Sequence, residues 1–506
     1  MRQRITYLLP EGTELDPGDV KVGRTEIFYK KVEQAAEENR ITLGLSELPE
    51  DLRVFLEDFH ELHIRVASPR NANHLVPTIS RVPPGVHAFF TPRKPGHDTN
   101  LCSALRGVLG EAVKCSNASE SFSKPPILSE RFASSSTFQF YHGPDGMERL
   151  SRMLESAACE ETSTLQTLCN AAKESSAASY LDFDFDVISH ALTVTALRPS
   201  SNGAPGRSKR GSVRKLNPDD RVEVGILQAQ KAEEPEELSL GGLLTVLGDD
   251  DHPSPTLFSF PARHHPLHAG DGTQYTVAFQ QPTGLHPKLD IVLPAKNLAP
   301  PKDSCALHAY WTLPSPLFID RYQLSDHLFL ESQNLVALRA LSGEQDLEAP
   351  DWAVKGWGSA ALLELARPTS AEEGKNWTIT IPTHLRYINA TASPDGLASV
   401  EIPWPVVFWA CEAQEGLKMS VNPFDRVNLG YDGLFGPKTM FYHVPPASGV
   451  GVLVETLAVP VLDGQSAQWV PLGTAIAVLI GFGWICWQMV GRSRSTATSE
   501  KDKKVR

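Results

Sequence analysis

Residues 470–490 read VPLGTAIAVLIGFGWICWQMV, an apolar run that carries no charge. A helix rises about 1.5 Å per residue, so a run of this length covers the roughly 30 Å hydrocarbon core of a bilayer. Trp469 and Trp487 lie where tryptophans anchor a span at the membrane interfaces. A buried core helix is the alternative, but Arg492 follows the run almost at once. The sequence therefore predicts one transmembrane helix over 469–490.

The charges that flank this span predict its orientation. No Lys or Arg occurs between Lys438 and Arg492, whereas the tail 491–506 holds six basic and two acidic residues. By the positive-inside rule the basic tail stays in the cytosol, so the large N-terminal part is luminal. The net charge of the chain is −13, and the residues before the tail carry −17. An acidic body of this kind argues against a nucleic-acid partner, which requires a basic face.

The N-terminus leaves a rival topology open. It reads MRQRITYLLPEGTELD, in which the apolar run is five residues long. A secretory signal peptide needs an apolar region of about 7–15 residues and a small-residue cleavage site. A tail-anchored protein with a cytosolic domain is therefore the alternative to a luminal domain.

Two kinds of signal favour the luminal arrangement. Candidate N-glycosylation acceptors are Asn117, Asn376 and Asn389. The chain ends in KKVR, where Lys503 and Lys504 match a dilysine signal for retrieval to the endoplasmic reticulum, although a basic tail on anionic lipid is the plain alternative. We expect a single-pass protein of the endoplasmic reticulum membrane, with a luminal N-terminal domain, a cytosolic tail and no cleaved signal peptide.

The N-terminal region, 1–198, has the pattern of a luminal α+β region. A charged patch over 30–39 predicts a helix, and MERLSRMLESAACEETSTLQTLCNAAK, 147–173, predicts one or two more. Residues 178–197 alternate as strands do. The stretch 199–220 is rich in Gly, Pro, Ser and basic residues and lacks an apolar period. It predicts a disordered basic linker or loop and a candidate domain boundary.

The region 221–468 has the pattern of a β-rich luminal domain. Short runs of β-branched and aromatic residues are broken by Pro and Gly, which is typical of an antiparallel sandwich. The runs are RVEVGILQ, TVAFQQ, LHAYWTL, LVALRAL, AALLELA, NWTITIPTHLRYI and ASVEIPWPVVFWAC. We therefore expect a mainly β fold: luminal antiparallel β-sandwich-type domains with a few helices, plus the transmembrane helix.

The cysteines do not by themselves define a site. Cys486 lies in the predicted span, and the other six show no CxxC and no close spacing typical of zinc. In an oxidising compartment six cysteines allow many pairings, among which sequence cannot choose. The six are Cys102, Cys115, Cys159, Cys169, Cys305 and Cys411.

Two polar segments are candidates for metal chemistry. DFDFD, Asp182–Asp186, spaces three aspartates whose oxygens could hold Mg²⁺ or Mn²⁺. On a strand, residues two apart share a face, so the plain interpretation puts Phe183 and Phe185 in the core and the aspartates in solvent. The segment 249–268 contains histidines without HExxH spacing, which favours a polar loop. These histidines are His252, His264, His265 and His268.

Common enzyme motifs are absent from the sequence. There is no GxSxG, no Walker loop and no GxGxxG after a strand, and FHELH, 59–63, does not match HExxH. Nothing in the residues points to an enzyme. We therefore assign no catalytic, cofactor-binding or metal-binding residue.

Two segments resemble the sequence markers of the PIG-X/Pbn family. One is THLRYINATASPDGLASVEIPWPVVFWAC, 383–411; the other is LPSPLFIDRYQL, 313–324. In the first, the matching residues are His384, Leu385, Arg386, Tyr387 and Cys411. In the second, they are Phe318, Ile319, Asp320, Tyr322 and Leu324. The resemblance is strongest over about 250–490, and it departs from the family in that no proline follows Tyr387 closely.

The resemblance implies a function. It implies a non-catalytic accessory subunit of the glycosylphosphatidylinositol (GPI) mannosyltransferase I complex in the endoplasmic reticulum. The implied partner is a polytopic catalytic subunit that adds the first mannose to the GPI-anchor precursor and that this chain stabilises. A broader part in stabilising some proteins of the endoplasmic reticulum is also implied. A general membrane chaperone or lectin-like escort, and a metal-dependent enzyme that uses Asp182–Asp186, are the alternatives.

Overall fold

The structure is a computed structural model of the chain. It describes residues 1–503 with gaps. The longer gaps are 72–79, 95–98, 127–136, 160–168, 200–210, 268–272, 295–297, 369–375 and 415–429. The shorter gaps are 11, 14, 31, 33–34, 111–112, 145, 171–172, 174–176, 235 and 394.

The strands, in chain order, account for most of the described secondary structure. They are β1 (Arg2–Leu9), β2 (Val20–Val22), β3 (Glu26–Tyr29), β4 (Ala36–Gly44), β5 (Phe59–Ala67), β6 (Gly85–Pro92), β7 (Phe138–His142), β8 (Tyr180–Asp186), β9 (Ala191–Arg198), β10 (Gly211–Arg214), β11 (Arg221–Gln230), β12 (Glu237–Val246), β13 (Ser254–Pro261), β14 (His264–Pro266), β15 (Thr276–Phe279), β16 (Lys288–Pro294), β17 (Ala306–Pro314), β18 (Leu317–Phe318), β19 (Leu335–Gly343), β20 (Gly358–Leu365), β21 (Asn376–Pro382), β22 (His384–Leu385), β23 (Leu397–Pro403), β24 (Val406–Glu412), β25 (Thr439–His443) and β26 (Val454–Pro460).

The helices are fewer and, apart from the last, short. They are α1 (Glu50–Leu56), α2 (Thr99–Leu109), α3 (Ala118–Ser121), α4 (Gly146–Ala158), α5 (His327–Ser332), α6 (Gly464–Ala467) and α7 (Trp469–Lys503). Short 3-10 turns occur at Pro17–Asp19, Leu45–Glu47, Gln323–Ser325 and Asp432–Leu434. The helix predicted within 147–173 is confirmed by α4, and residues 160–168 of that stretch lie outside the described residues.

Contacts divide the chain into two compact units. The first comprises Met1–Arg386 and Glu401–Leu457 and the second comprises Tyr387–Val400 and Ala458–Arg506.

Two large sheets form the first unit. One has ten strands in the order β13-β12-β11-β1-β4-β9-β8-β5-β6-β7, and the other has six in the order β14-β25-β24-β17-β20-β19. Neighbours are antiparallel except at the pairs β1–β11 and β14–β25, which are parallel. Smaller sheets have the orders β10-β3-β2, β15-β16-β21, β18-β22 and β23-β26.

The two large sheets share one hydrophobic cluster. Phe90 and Phe140 contribute from the ten-stranded sheet, and Tyr310, Phe408 and Phe441 from the six-stranded sheet. Aromatic and β-branched side chains project from one face of each strand, so two such faces can exclude water together. The prediction of a mainly β, antiparallel fold with a few helices is confirmed.

The charged patch at 30–39 is not a helix, so that prediction is wrong. Strand β4 begins at Ala36 and lies between β1 and β9. Its Glu38 and Arg40 side chains are buried, with Arg40 Nη2 3.2 Å from Glu38 Oε1. Residues two apart on a strand share a face, so the two charges neutralise each other inside the protein.

Part of the stretch predicted as a disordered linker, 199–220, forms a strand. Residues 200–210 lie outside the described residues, but β10 pairs with β3 in antiparallel register. Val213 is buried there, and a Cβ at Gly211 would lie 1.5 Å from the Tyr29 ring, so glycine is required by close packing. Both sides of this stretch belong to the first unit. The candidate domain boundary in this stretch stays a prediction.

The second unit contains the apolar helix. Asp463 Oδ2 accepts hydrogen bonds from the backbone N–H groups of Gln465 and Ser466, both 3.1 Å, and so caps α6. Helix α7 follows, and within the described residues the segment Gly464–Val490 is the one helix long and apolar enough to cross a membrane. This agrees with the predicted span and with a single-pass membrane protein.

Candidate functional site

The structure joins the two marker segments in one small sheet. Strand β18 pairs with β22, so that Leu317 is opposite Leu385 and Phe318 is opposite His384. The backbone N–H of Arg386 extends the pairing by donating to Pro316 O at 2.8 Å. Segments 66 residues apart in sequence (Phe318 and His384) thus form one local structure. We call this β18–β22 sheet and its flanking residues the motif sheet.

His384 lies between three side chains of the motif sheet. Its ring stacks on Phe318 with centroids 5.4 Å apart, and its Nε2 lies 3.2 Å from Gln323 Oε1. On its other side its Nδ1 is 2.8 Å from Nδ1 of His286. Burial lowers the pKa of His384, and the neighbouring His286 lowers it further. The imidazole is therefore held in its neutral form, in which one ring nitrogen can donate and the other can accept.

Asp320 builds the turn that follows β18. Its Oδ1 accepts hydrogen bonds from the backbone N–H groups of Tyr322 at 2.8 Å and Gln323 at 3.3 Å. This is the short-range bonding that makes aspartate favourable in turns. The Tyr322 side chain is left 61% exposed, and its hydroxyl accepts a hydrogen bond from Arg321 Nη2. Asp320 therefore shapes the backbone, whereas Tyr322 presents an aromatic ring to solvent.

Arg386 is buried beneath this turn. Its Cζ lies 4.2 Å from the centroid of the Phe318 ring, and its Nη1 donates to Ala349 O at 2.7 Å. Only 3% of the residue is exposed. Burial lowers the pKa of Arg386, while the carboxylates of Glu344, Asp346 and Asp351 act to raise it.

The loop that supplies Ala349 O is held by its own turn and by one lysine. Asp346 Oδ1 accepts from the N–H groups of Glu348 at 2.8 Å and Ala349 at 3.0 Å. These hydrogen bonds lower the pKa of Asp346. Lys114 Nζ donates to Asp351 Oδ1 at 2.8 Å and to Asp351 O at 2.6 Å. We call residues 344–352 the acidic loop.

The other marker residues have roles different from that of Arg386. Leu385 is buried, and its N–H donates to Leu285 O at 3.0 Å. Tyr387 is exposed and begins the second unit. Cys411 is buried on β24 and forms a disulfide with Cys305, which precedes β17. The marker residues are therefore divided between packing, turn formation, covalent linkage and exposed surface.

Comparison with known proteins matches the same region. A family model described as PIG-X / PBN1 matches residues 282–490, which include both marker segments and the apolar helix. Protein pbn1 of Emericella nidulans is 43% identical to this chain, over 98% of the chain and 97% of that protein. The chain belongs to the PIG-X/PBN1 family. Protein pbn1 of Neurospora crassa is 41% identical over 97% of the chain, and Protein PBN1 of Saccharomyces cerevisiae is 27% identical over 56% of it.

This PIG-X/PBN1 member has three disulfides among its described residues. They join Cys102 to Cys115, Cys159 to Cys169 and Cys305 to Cys411, and Cys486 in the apolar helix is free. The sequence alone left this pairing open, because spacing in sequence does not report which strands are neighbours. The bond at Cys411 joins the antiparallel neighbours β17 and β24.

The three glycosylation candidates stay predictions, and the structure places each of them. Asn376 is exposed at the start of β21, and Asn389 is exposed in the second unit. Asn117 is half-buried, and its Oδ1 accepts from Glu120 N at 2.9 Å at the start of α3. Of the retrieval candidates, Lys504 lies outside the described residues, and only the helical backbone of Lys503 is described.

The placement of the aspartates in DFDFD corrects the sequence interpretation. Asp182 is buried, not in solvent, and its two carboxylate oxygens accept from Nε and Nη2 of Arg65 at 2.7 and 2.6 Å. Asp184 lies 3.2 Å from His63 Nδ1, and Asp186 Oδ1 caps the turn to β9. The partners of Asp182 and Asp184 come from strand β5, which the local pattern of β8 cannot reveal. Across the described residues no group of three His, Cys, Asp or Glu residues is arranged to hold a metal ion.

The histidine segment is also different from the predicted polar loop. His264 and His265 are buried in β14, a strand parallel to β25. His264 Nδ1 is 2.9 Å from His443 Nε2, and its Nε2 is 3.2 Å from Asp432 Oδ1. His252 lies outside this strand, and His268 lies outside the described residues.

Sequence reasoning missed this buried polar chain and Arg65 altogether. The partner residues Asp432 and His443 lie more than 160 positions from His264, at separations of 168 and 179. A signal was available in the polar residues that interrupt otherwise apolar strands, since such residues must find partners when buried. It would have identified candidates without naming their partners.

Proposed function

We propose that this chain is a non-catalytic accessory subunit of the GPI mannosyltransferase I complex of the endoplasmic reticulum. Its partner is the polytopic catalytic subunit that adds the first mannose to the GPI-anchor precursor. The chain stabilises that subunit and also aids some other proteins of the same membrane. The observation that carries the proposal is similarity to Pbn1 proteins over nearly the whole chain, including both marker segments.

The proposed luminal orientation has two physical supports. The basic residues that follow the apolar helix favour a cytosolic tail. The six cysteines outside that helix are paired in disulfides, which persist in the secretory pathway and are rare in the cytosol. A luminal body places the motif sheet on the side where luminal loops of a polytopic partner are available.

Stabilisation of a partner requires a surface and not a reactive group. A protein that binds the folded form of its partner shifts the folding equilibrium of that partner by mass action. A membrane helix confines both proteins to one bilayer and raises their effective concentration. The exposed aromatic ring of Tyr322 beside the motif sheet is a side chain of the type that anchors such contacts.

Conditional depletion in fungal cells tests the proposal. The catalytic subunit is quantified by immunoblot, and isolated membranes are assayed for mannose transfer from dolichyl-phosphate mannose to the glucosaminyl lipid precursor. We expect both quantities to fall together as the chain is depleted. Mannose transfer by the purified chain alone, or an unchanged level of the catalytic subunit, would refute the proposal.

Affinity purification from mild detergent separates a subunit from an escort. A subunit should bring down one polytopic partner in near-stoichiometric amount, whereas a general chaperone or lectin-like escort should bring down many proteins weakly. Endoglycosidase H treatment and protease protection in sealed microsomes test the orientation. A body that added protease digests would be cytosolic, and the luminal partner would then be excluded.

A further inference from the structure

One edge of the Arg386 guanidinium lacks hydrogen-bond partners among the described residues. Its Nε and Nη2 are buried and have no acceptor among the residues that the structure describes, while Nη1 is bonded to Ala349 O. An arginine presents Nε and Nη2 as two parallel donors that match a pair of oxygen acceptors. Burying such donors without acceptors is unfavourable, so the arrangement calls for an explanation.

Arg65 shows what fills the same edge elsewhere in this chain. Its Nε and Nη2 donate to the two carboxylate oxygens of Asp182 at 2.7 and 2.6 Å. Its Nη1 donates to a backbone carbonyl, Ser80 O, just as Nη1 of Arg386 donates to Ala349 O. The two buried arginines therefore share a bonding pattern and differ in one component, the pair of oxygens on the Nε–Nη2 edge.

The charges near Arg386 limit what can fill that edge. Glu344, Asp346 and Asp351 stabilise its positive charge, yet no ion pair to Arg386 occurs within the described part of the chain. Asp346 is bonded to the backbone N–H groups of its own loop, and Asp351 is bonded to Lys114. Arg386 already has negative charges nearby. What it lacks within the described chain is a pair of oxygen atoms placed to accept from Nε and Nη2.

The surroundings favour a polypeptide as the source of these oxygens. Trp352 and Leu347 of the acidic loop are 55% and 39% exposed, and Tyr322 is 61% exposed. Arg321, next to Tyr322, donates to Gln345 Oε1 of the same loop at 3.1 Å. Tyr, Trp and Arg are the side chains enriched at protein interfaces, and a lone ion needs no apolar rim of this kind.

We propose that Arg386 receives two oxygen acceptors from a luminal polypeptide segment of the membrane partner. This rests on the proposed function. The segment reaches the Nε–Nη2 edge when the acidic loop, whose Ala349 O accepts from Nη1, shifts. Arg386 is then a specificity-determining residue for the partner, and Tyr322 and Trp352 border the contact.

Substitutions in the full chain separate binding from folding. Arg386→Met keeps the apolar stem on Phe318 and removes the donors, and Arg386→Lys keeps the charge and removes the paired Nε–Nη2 donors. The control Arg152→Met removes an exposed arginine on α4, away from the proposed contact. Each variant is expressed in cells depleted of the wild-type chain, and the catalytic subunit that copurifies is quantified. We expect capture to fall about tenfold or more for both Arg386 variants and less than about twofold for Arg152→Met.

The folding readout is the thermal unfolding of each purified full-length variant in detergent. A binding role predicts a midpoint for Arg386→Met that is unchanged or higher than that of the wild type, because an unmatched buried charge is removed. A lower midpoint together with proportional loss of capture would mean a structural role and would overturn the inference. Wild-type capture by Arg386→Met would overturn it as well.

Site-specific photo-crosslinking supplies an independent test. A photoreactive phenylalanine analogue at Tyr322 should crosslink to the catalytic subunit, whereas the same group at Ile188, which is 89% exposed on the β8–β9 turn, should not. If the wild-type chain captures the partner but only position 188 crosslinks, this inference fails and the proposed function stands. If the wild-type chain captures no catalytic subunit, the proposed function itself fails.

Discussion

The ten-stranded sheet and the motif sheet each bury an arginine, with opposite results for hydrogen bonding. Arg65 lies between β8 and β6, and every guanidinium nitrogen has an acceptor in Asp182 or Ser80. Arg386 lies beside β22 with one nitrogen bonded to Ala349 O and two without acceptors in the described chain.

The difference separates Arg65, which stabilises the fold, from Arg386, which we propose binds a partner. Breaking a matched pair leaves the surviving charge buried, so the fold depends on both members. Removing an unmatched charge leaves no such orphan, so the fold depends less on that residue. Substitution can therefore distinguish the two regions by their effects on stability.

Among the single substitutions, the largest effect is expected when Arg65 is replaced. Arg65→Met leaves the Asp182 carboxylate buried without its main partner, which should lower the free energy of unfolding by about 3–5 kcal/mol. Chemical denaturation of the purified full chain, followed by tryptophan fluorescence, measures this loss. The double variant Arg65→Met/Asp182→Leu removes the orphaned carboxylate and should regain most of it. A loss below about 1 kcal/mol in the single variant would contradict the comparison.

The disulfides sharpen the comparison through a smaller quantity, the difference in stability lost when each of two bonds is removed. Cys305–Cys411 encloses 106 residues around the motif sheet, whereas Cys159–Cys169 encloses 10. Loop-closure entropy predicts about 5 kcal/mol for the longer loop and about 3 kcal/mol for the shorter one. Replacing both cysteines of each pair by alanine should therefore cost about 2 kcal/mol more at Cys305–Cys411. Equal losses by denaturation would show that the long-range bond does not hold the motif region.

Strands and the apolar helix could be predicted from sequence because their signals are local. The runs at 221–228 and 307–313 alternate or lack charge, and they form β11 and β17. The same reasoning failed for the charged patch at 30–39, which it predicted to be a helix. Residues from Ala36 onward form β4 between β1 and β9, and Glu38 is buried there. Burial of a strand by its neighbours is a non-local property, and no window of residues contains it.

The candidate site shows the same limit. The marker residues were identified from the sequence, but their division into roles was not. Asp320 shapes a turn through bonds two and three residues away, which is a local effect. The contacts of Arg386 with Ala349 and Phe318 span 37 and 68 positions, and only the fold brings these residues together. The unpaired nitrogens follow from that geometry alone.

Two histidines in adjacent strands predict a pH dependence of opposite signs within the ten-stranded sheet. Burial alone would lower the pKa of His63, but its bonds to Asp182 and Asp184 outweigh this and raise it. Burial lowers the pKa of His87 to about 4. The contribution of His63 is therefore present below its ordinary pKa and lost as pH rises through the raised value. The contribution of His87 is present above about pH 6.5 and lost as pH falls below it.

Replacing His87 isolates its contribution to the pH dependence of stability. Between pH 7.5 and 5.5 a histidine that stays neutral only in the folded state should cost about 1 kcal/mol of stability. The free energy of unfolding of His87→Phe should therefore fall by about 1 kcal/mol less than that of the wild type between pH 7.5 and 5.5, whatever its stability at pH 7.5. The measurement is the free energy of unfolding at both pH values, with His60→Phe as an exposed control on the same strand as His63. An unchanged pH dependence would mean that the pKa of His87 is the same in the folded and unfolded states, which would contradict the prediction.

The smallest effects are expected in the turn that Asp320 builds after β18, where the comparison is between two nearby residues. Asp320→Ala loses two bonds to backbone N–H groups and should cost about 1 kcal/mol of unfolding free energy. Tyr322→Ser removes an exposed ring and should change it by less than about 0.5 kcal/mol. Suppose that Tyr322→Ser nevertheless reduces capture of the proposed catalytic subunit more than Asp320→Ala does. The exposed surface of the turn then matters more to the partner than the stability of the turn. If capture instead follows stability in both variants, the turn acts only through the fold, and the contrast between the two regions does not extend beyond Arg386.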